Sequence, residues 1–191
     1  FFKNGVDSPQ LDYVSQAYQK YHAHGDIVFS SVSRLQRWKR VDRSIEIFAK
    51  FNSRFNNSHY YIVGGGPEIE NLKKLVNQKG LQGCVSFCGA QGKHQIYGLL
   101  KDTKYFLSSY ELSNLGNPLF EAISCGAIVV TLNNGNTSEM IVDGVTGLLS
   151  DEHDFSKNAL KLIECENAPD SVAAMRAAAK DHLATNFDTW N

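Results

Sequence analysis

The residues best suited to chemistry stand just past short apolar runs. After IVFSSVS (27–33) comes a basic turn in which Arg34 and Lys39 are five apart, with Arg37 and Arg40 beside them. Two cations at a strand-to-helix junction can hold an anion with help from the helix N-terminus; a solvated basic turn is the alternative. After HYYIVG (59–64) the chain reads Gly64, Gly65 and Gly66 before a helical stretch. Glycine there lets backbone approach a ligand, with Gly65 the candidate contact, or simply makes the turn tight. The pattern is not the G-x-G-x-x-G of dinucleotide enzymes and follows the second apolar run, not the first. The stretch SSYELSNLGNPLFEAISCG (108–126) sets Gly116 and Asn117 before Pro118, which suits a helix start, and puts Glu121 within the first turn or so. Glu121 is either a carboxylate favoured by the helix dipole or a bidentate acceptor for the two hydroxyls of a ribose. NNGNTSEMI (133–141) adds another glycine turn and Glu139, with the same helix-end alternative. His22, His24, His59, His94, His153 and His182 have no spacing suited to a metal or a catalytic triad.

These loops need a frame. IVFSSVS, HYYIVG, CVSFCG (84–89), YFLSS (105–109), AIVVTL (127–132) and GLL (147–149) read as short strands. Their continuous β-branched and aromatic runs indicate cover on both faces. Helical spacing recurs between them: Val41, Ile45, Phe48, Phe51 and Phe55 lie on one stripe, and PEIENLKKLVNQKG (67–80) opens on proline and closes on glycine. Further helices are expected near 93–101, 118–125, 155–165 and 170–185. Strand–helix alternation implies a parallel sheet with right-handed crossovers. The fold expected is α/β: a Rossmann-like doubly wound parallel sheet of about six strands with helices on both faces. Ligands in such sheets sit outside the carboxyl ends of the strands, where the loops above fall. The expected organisation is an entry segment and helix over 1–25, the Rossmann-like domain over 26–150, and C-terminal helices of the same domain over 151–191.

Bulk properties narrow the function. The 191 residues carry 19 Lys plus Arg against 20 Asp plus Glu, a formal net charge of -1, which argues against nucleic acid held by bulk charge. The cysteines Cys84, Cys88, Cys125 and Cys165 are scattered and read as buried thiols of a reducing compartment, not as a zinc site. No apolar run approaches the roughly 18 residues of a bilayer span. The chain opens on Phe-Phe, read as the start of a fragment.

In order along the chain, NGVD (4–7), SRLQRWK (33–39), YIVGGGPE (61–68), VSFCG (85–89), SNLGNPLFEAISCG (113–126), NNGNTSEMI (133–141) and DGVTGLL (143–149) resemble the C-terminal domain of the GT-B-fold retaining glycosyltransferases of group 1. The resemblance covers roughly residues 2 to 150. It implies transfer of a sugar from a nucleotide-diphosphate donor with retention of anomeric configuration, without a metal or other cofactor. In that family NGVD marks the crossing from an N-terminal domain that holds the acceptor, a glycan or a lipid-linked molecule. By the resemblance Arg34 and Lys39 bind the donor diphosphate and neutralise the charge that grows there as the glycosidic bond breaks. Glu121 matches the second Glu of the Glu-x7-Glu motif, which holds the ribose. The loop Asn114, Leu115, Gly116, Asn117, Pro118 and Leu119 sets backbone N–H groups against phosphates or donor sugar, and Ala90 and Gln91 face the base. The implied location is cytoplasmic, with membrane contact open to the N-terminal portion.

One position departs from the family. The first Glu of the motif falls at Ser113, and Glu111 lies two residues early. Either a bulge brings Glu111 into the site, or Ser113 and the backbone serve instead. A non-catalytic nucleotide-sugar module, the donor subunit of a two-chain transferase, and a GT-B-fold sugar-nucleotide epimerase are the alternatives. The expectation for the fragment alone is inactivity, since the family's site closes between two domains.

Overall fold

The computed structural model describes residues 27–112 and 115–186. Six strands form one sheet: β1 (Ile27–Val32), β2 (Ser58–Val63), β3 (Val85–Gly89), β4 (Tyr105–Ser108), β5 (Ile128–Leu132) and β6 (Leu148–Ser150). All pair in parallel, in the order β3-β2-β1-β4-β5-β6. Each predicted strand lies within a residue or two of an observed one. The helices are α1 (Val41–Asn52), α2 (Ile69–Gln78), α3 (Lys93–Asp102), α4 (Asn117–Cys125), α5 (Thr137–Met140), α6 (Lys157–Asn167) and α7 (Pro169–Asn186).

The period-2 geometry of a strand sorts its side chains to opposite faces. Phe29, Tyr60, Ile62, Tyr105, Leu107, Ile128 and Val130 turn one way and pack with Val41, Ile45, Phe48 and Phe51 of α1, Leu72 and Val76 of α2, and Leu162 of α6. Phe29 is the hub there, with ring centroids 5.2 Å from Phe48, 4.9 Å from Phe51 and 5.1 Å from Tyr105. Phe106 and Val129 turn the other way, against Leu100 of α3 and Leu119, Phe120, Ala122 and Ile123 of α4. Val28, Tyr61 and Val63 share that second face with Leu99. Helices therefore cover both faces, and α7 bridges them: Val172 and Met175 join the first cluster, Ala179 the second. Two-sided cover explains why apolar residues stand side by side in the strands, as in IVF of β1, YYIV of β2 and IVV of β5, instead of alternating with polar ones.

Three details differ from the sequence reading. Pro67 lies in the turn before α2, whose first residue is Ile69, because Gly66 and Glu68 are drawn into a loop–loop contact. Phe55 lies beyond the end of α1 yet still stacks on Phe51 at 4.9 Å. Glu121 is the fifth residue of α4, one turn further in than the first turn. The expected entry helix of residues 1–25 lies outside the described residues. No helix among the described residues is long and apolar enough to cross a membrane.

Strand order reverses between β1 and β4, so a crevice opens beyond their carboxyl ends. In sheets of this order that crevice is where ligands are taken.

Candidate functional site

Backbone hydrogen bonds fix the turn that leaves β1. The N–H of Ser33 donates to Val63 O at 3.0 Å, that of Leu35 to Gly65 O at 2.9 Å, and that of Glu68 to Leu35 O at 3.1 Å. The β2 exit loop thus lies directly against the segment that carries Arg34. The three glycines of that loop are not equivalent. A Cβ on Gly64 would stand 1.8 Å from Ser33 O, and one on Gly66 would stand 2.4 Å from Leu35 O. Gly64 also has φ +132°, whereas a Cβ on Gly65 would meet nothing within 4 Å. Gly64 and Gly66 therefore serve loop packing, and only Gly65 has room for anything else.

Beyond Leu35 the chain makes a short 3-10 turn over Arg37–Lys39. This turn aims the Lys39 ammonium back into the crevice, with Nζ 4.0 Å from the Trp38 ring centroid and 3.5 Å from that of Tyr110. The two rings stand edge to face, 5.9 Å apart. Aromatic faces attract a cation but replace water poorly. Burial accordingly pulls the Lys39 pKa down to about 8. Arg34 is exposed and has no carboxylate partner among the described residues. Both cations line a cavity of about 400 Å³, and Ser33, Trp38, Tyr110, Gly116, Pro118 and Leu119 are also in its wall.

The far wall is the start of α4. Gly116, in extended conformation, caps it, and Pro118 follows Asn117 in the first turn. Pro118 has no N–H, and the N–H of Leu119 donates to Gly116 O at 2.9 Å. The backbone donors this helix start can offer a ligand are thus those of Gly116 and Asn117, while the Leu119 side chain is buried in the core. Leu115 is half-buried just ahead of the cap and packs against the same core cluster. Ser113 and Asn114 lie outside the described residues. Glu121, exposed on the next turn, lines a second cavity of 450 Å³ with Lys93, His94, Tyr97, Ile96 and Asn117. Val32 and Pro118 belong to both walls, so the two cavities adjoin along the start of α4.

Other predicted residues fall elsewhere. Glu111 accepts from Arg40 Nη1 at 2.9 Å and lines a different groove with Gln36, Arg37, Glu68 and Asn71. Gly65, Ala90 and Gln91 line neither cavity of the cleft; Ala90 and Gln91 follow β3, at the same carboxyl edge of the sheet. Among the described residues no group of three or more His, Cys, Asp or Glu is placed to hold a metal ion.

Sequence reasoning missed the aromatic pair Trp38 and Tyr110. Its signal was present: each ring adjoins an expected site residue at the exit of a strand, and those strands, β1 and β4, are neighbours in the sheet. Lys93, His94 and Tyr97 were missed as well, since an amphipathic helix gives no sign of which residues edge a cleft.

Comparisons with known proteins bear on the family and the fold. The family model described as glycosyl transferases group 1 matches residues 16–182. The chain is 27% identical over 163 residues to a GDP-mannose-dependent alpha-(1-6)-phosphatidylinositol monomannoside mannosyltransferase of Mycobacterium tuberculosis, covering 82% of this chain and 42% of the relative. It is 26% identical over 169 residues to an N-acetyl-alpha-D-glucosaminyl L-malate synthase of Bacillus anthracis, covering 87% and 42%. The chain thus spans less than half the length of either relative. Among solved structures, Anabaena HepE in complex with UDP-glucose superposes with a TM-score of 0.80 at 21% identity, over 95% of this chain and 50% of that one. That likeness is one of fold, the Rossmann-like half of the GT-B architecture. With the family model matched over residues 16–182, the chain belongs to the glycosyl transferases group 1 family.

Proposed function

We propose that the crevice beyond β1 and β4 binds the nucleotide-diphosphate sugar of a retaining glycosyltransferase, and that this chain is the donor half of that enzyme. One observation carries the reading: Arg34 and Lys39 share a cavity whose opposite wall is the N-terminus of α4. A diphosphate there meets two cations, the N–H groups of Gly116 and Asn117, and the positive end of a helix dipole. Glu121, in the adjoining cavity, takes the ribose hydroxyls, and the base runs on toward Ala90 and Gln91 at the end of β3.

The chemistry follows from that placement. As the bond from the anomeric carbon to the diphosphate breaks, its electron pair passes to the leaving oxygen. Arg34 and Lys39 neutralise that charge in a site partly shielded from water, where the interaction is strongest. Two fixed cations and a helix end supply what a metal would, so no metal is required. The acceptor, a glycan or lipid-linked molecule, is held by an N-terminal domain facing the cleft, and the 191-residue chain alone turns over no donor. The mycobacterial relative is named for GDP-mannose and the Anabaena structure holds UDP-glucose, which makes guanosine and uridine donors the first to try.

The test uses the full-length protein with UDP-, GDP- and ADP-sugars and reads the product anomer by NMR. Transfer with retention, lost in Arg34→Ala and Lys39→Ala, is expected. Absence of transfer or hydrolysis from every donor, with nucleotide binding unchanged in both variants, would contradict the proposal.

A further inference from the structure

We infer that Arg40 is a positioning residue for Lys39: gripped by Asp42 and Glu111, its guanidinium holds shut the turn that sets Lys39 between Trp38 and Tyr110. The inference deepens the proposed donor site and rests on that reading for its consequence, though not for its geometry.

Arg40 is the only non-glycine residue at positive φ among the described residues, at φ 44° and ψ 44°. Glycine adopts that left-handed conformation freely and an L side chain does not. An arginine there needs a compensating interaction, and the structure supplies one from two directions. Arg40 Nε donates to Asp42 Oδ1 at 3.1 Å and Nη2 to Asp42 Oδ2 at 2.9 Å, which ties the turn to the first turn of α1. Nη1 donates to Glu111 Oε1 at 2.9 Å, which ties it to the exit of β4.

Glu111 makes the link a double one. Its backbone N–H donates to Trp38 O at 3.0 Å while its carboxylate takes Arg40. Tyr110 is the residue before Glu111, and Trp38 is two before Arg40. The clamp therefore spans the same two segments that provide the two rings around Lys39. The other groups facing Lys39 are Arg34 and the Tyr110 phenol in its cavity, with Arg37, Arg40 and Glu111 on the adjoining turns. This arrangement also accounts for Glu111 standing two positions from the place where the family's carboxylate falls: it holds the frame of the site, not the donor.

The test is the titration of Lys39 in the ligand-free chain, by NMR with isotope-labelled lysine and the resonance assigned by its loss in Lys39→Ala. Arg40→Gly removes the clamp while tolerating the left-handed backbone, and Glu111→Ala removes it from the other side. If the clamp holds the ring cradle closed, both variants let water reach Nζ and raise the Lys39 midpoint from about 8 by about one unit. A simple through-space effect of charge predicts opposite signs: loss of the guanidinium raises the midpoint and loss of the carboxylate lowers it. An unmoved midpoint in Arg40→Gly, or a lowered one in Glu111→Ala, overturns the inference. UDP and GDP affinity at pH 7 should fall about threefold in each variant, the scale of a partly exposed ion pair. If the midpoints shift as expected but Lys39→Ala binds both nucleotides like the unaltered chain, the donor-site reading fails and the clamp stands. Thermal melting separates misfolding from either outcome, with Arg40→Gly expected to melt above Arg40→Ala.

Discussion

Gly64→Ala should damage both the fold and the site, whereas Gly65→Ala next door should spare the fold. The added methyl at Gly64 would sit 1.8 Å from Ser33 O, on backbone that cannot swing aside as a side chain can. Overpacking of this kind costs about 2 kcal/mol and the φ of +132° about another 1 kcal/mol, roughly 3 kcal/mol together. For a chain of this size that corresponds to a fall in Tm of about 10 °C. The displaced atoms are those that carry Arg34, so nucleotide affinity should fall with stability. At Gly65 a methyl meets nothing within 4 Å and φ is not positive, so Tm should stay within about 1 °C or rise slightly. Calorimetric melting of both variants, each followed by nucleotide titration, makes the comparison. A Gly64→Ala protein melting within about 2 °C of the unaltered chain would refute the packing argument. So would a Gly65→Ala protein that falls as far. Weakened nucleotide binding in Gly65→Ala at unchanged Tm would mark Gly65 as a ligand contact.

Two further outcomes follow from the cleft. Lys39 must be charged to hold a diphosphate, so nucleotide affinity should fall about tenfold between pH 7 and pH 9 as it deprotonates near 8, with proton uptake on binding over that range. Its effect on stability has the other sign: burial depresses the folded pKa below the ordinary 10.5, the unfolded chain holds more protons between the two values, and stability contributed by this group rises with pH across that window. Calorimetry in buffers of different ionisation enthalpy reads the uptake, and melting across pH reads the stability. Glu121→Gln should weaken nucleoside diphosphate binding about tenfold, the loss of one charged acceptor. Its Tm should not move, because Glu121 is exposed and outside the core; a Tm that falls with affinity would count against a ribose contact.

Much of the fold was readable because the strands are covered on both faces. Phe29, Tyr60, Ile62 and Val130 belong to runs with no polar alternation, and a run buried on both sides needs no register argument to be recognised. The helical stripe Val41, Ile45, Phe48 and Phe51 was equally plain. The turn after β1 was not. Its 3-10 geometry and the left-handed Arg40 are set by Asp42 and by Glu111, 71 residues away, and long-range ion pairs leave no periodic trace. Spacing likewise could not separate Gly65 from Gly64 and Gly66, since the difference lies in what each Cβ would strike. Arg34, Lys39 and Glu121 could be named from the sequence, but their gathering into adjoining cavities depends on β1 and β4 being neighbours, which strand order decides.

The most direct measurement is calorimetric titration of the chain with UDP, GDP and ADP, in parallel with the Arg34→Ala/Lys39→Ala double variant. Binding of at least one nucleotide with about one-to-one stoichiometry, lost in the double variant at unchanged Tm, is the predicted result. Equal binding by the chain and the double variant would contradict the account, because the diphosphate would then be held somewhere other than the crevice beyond β1 and β4.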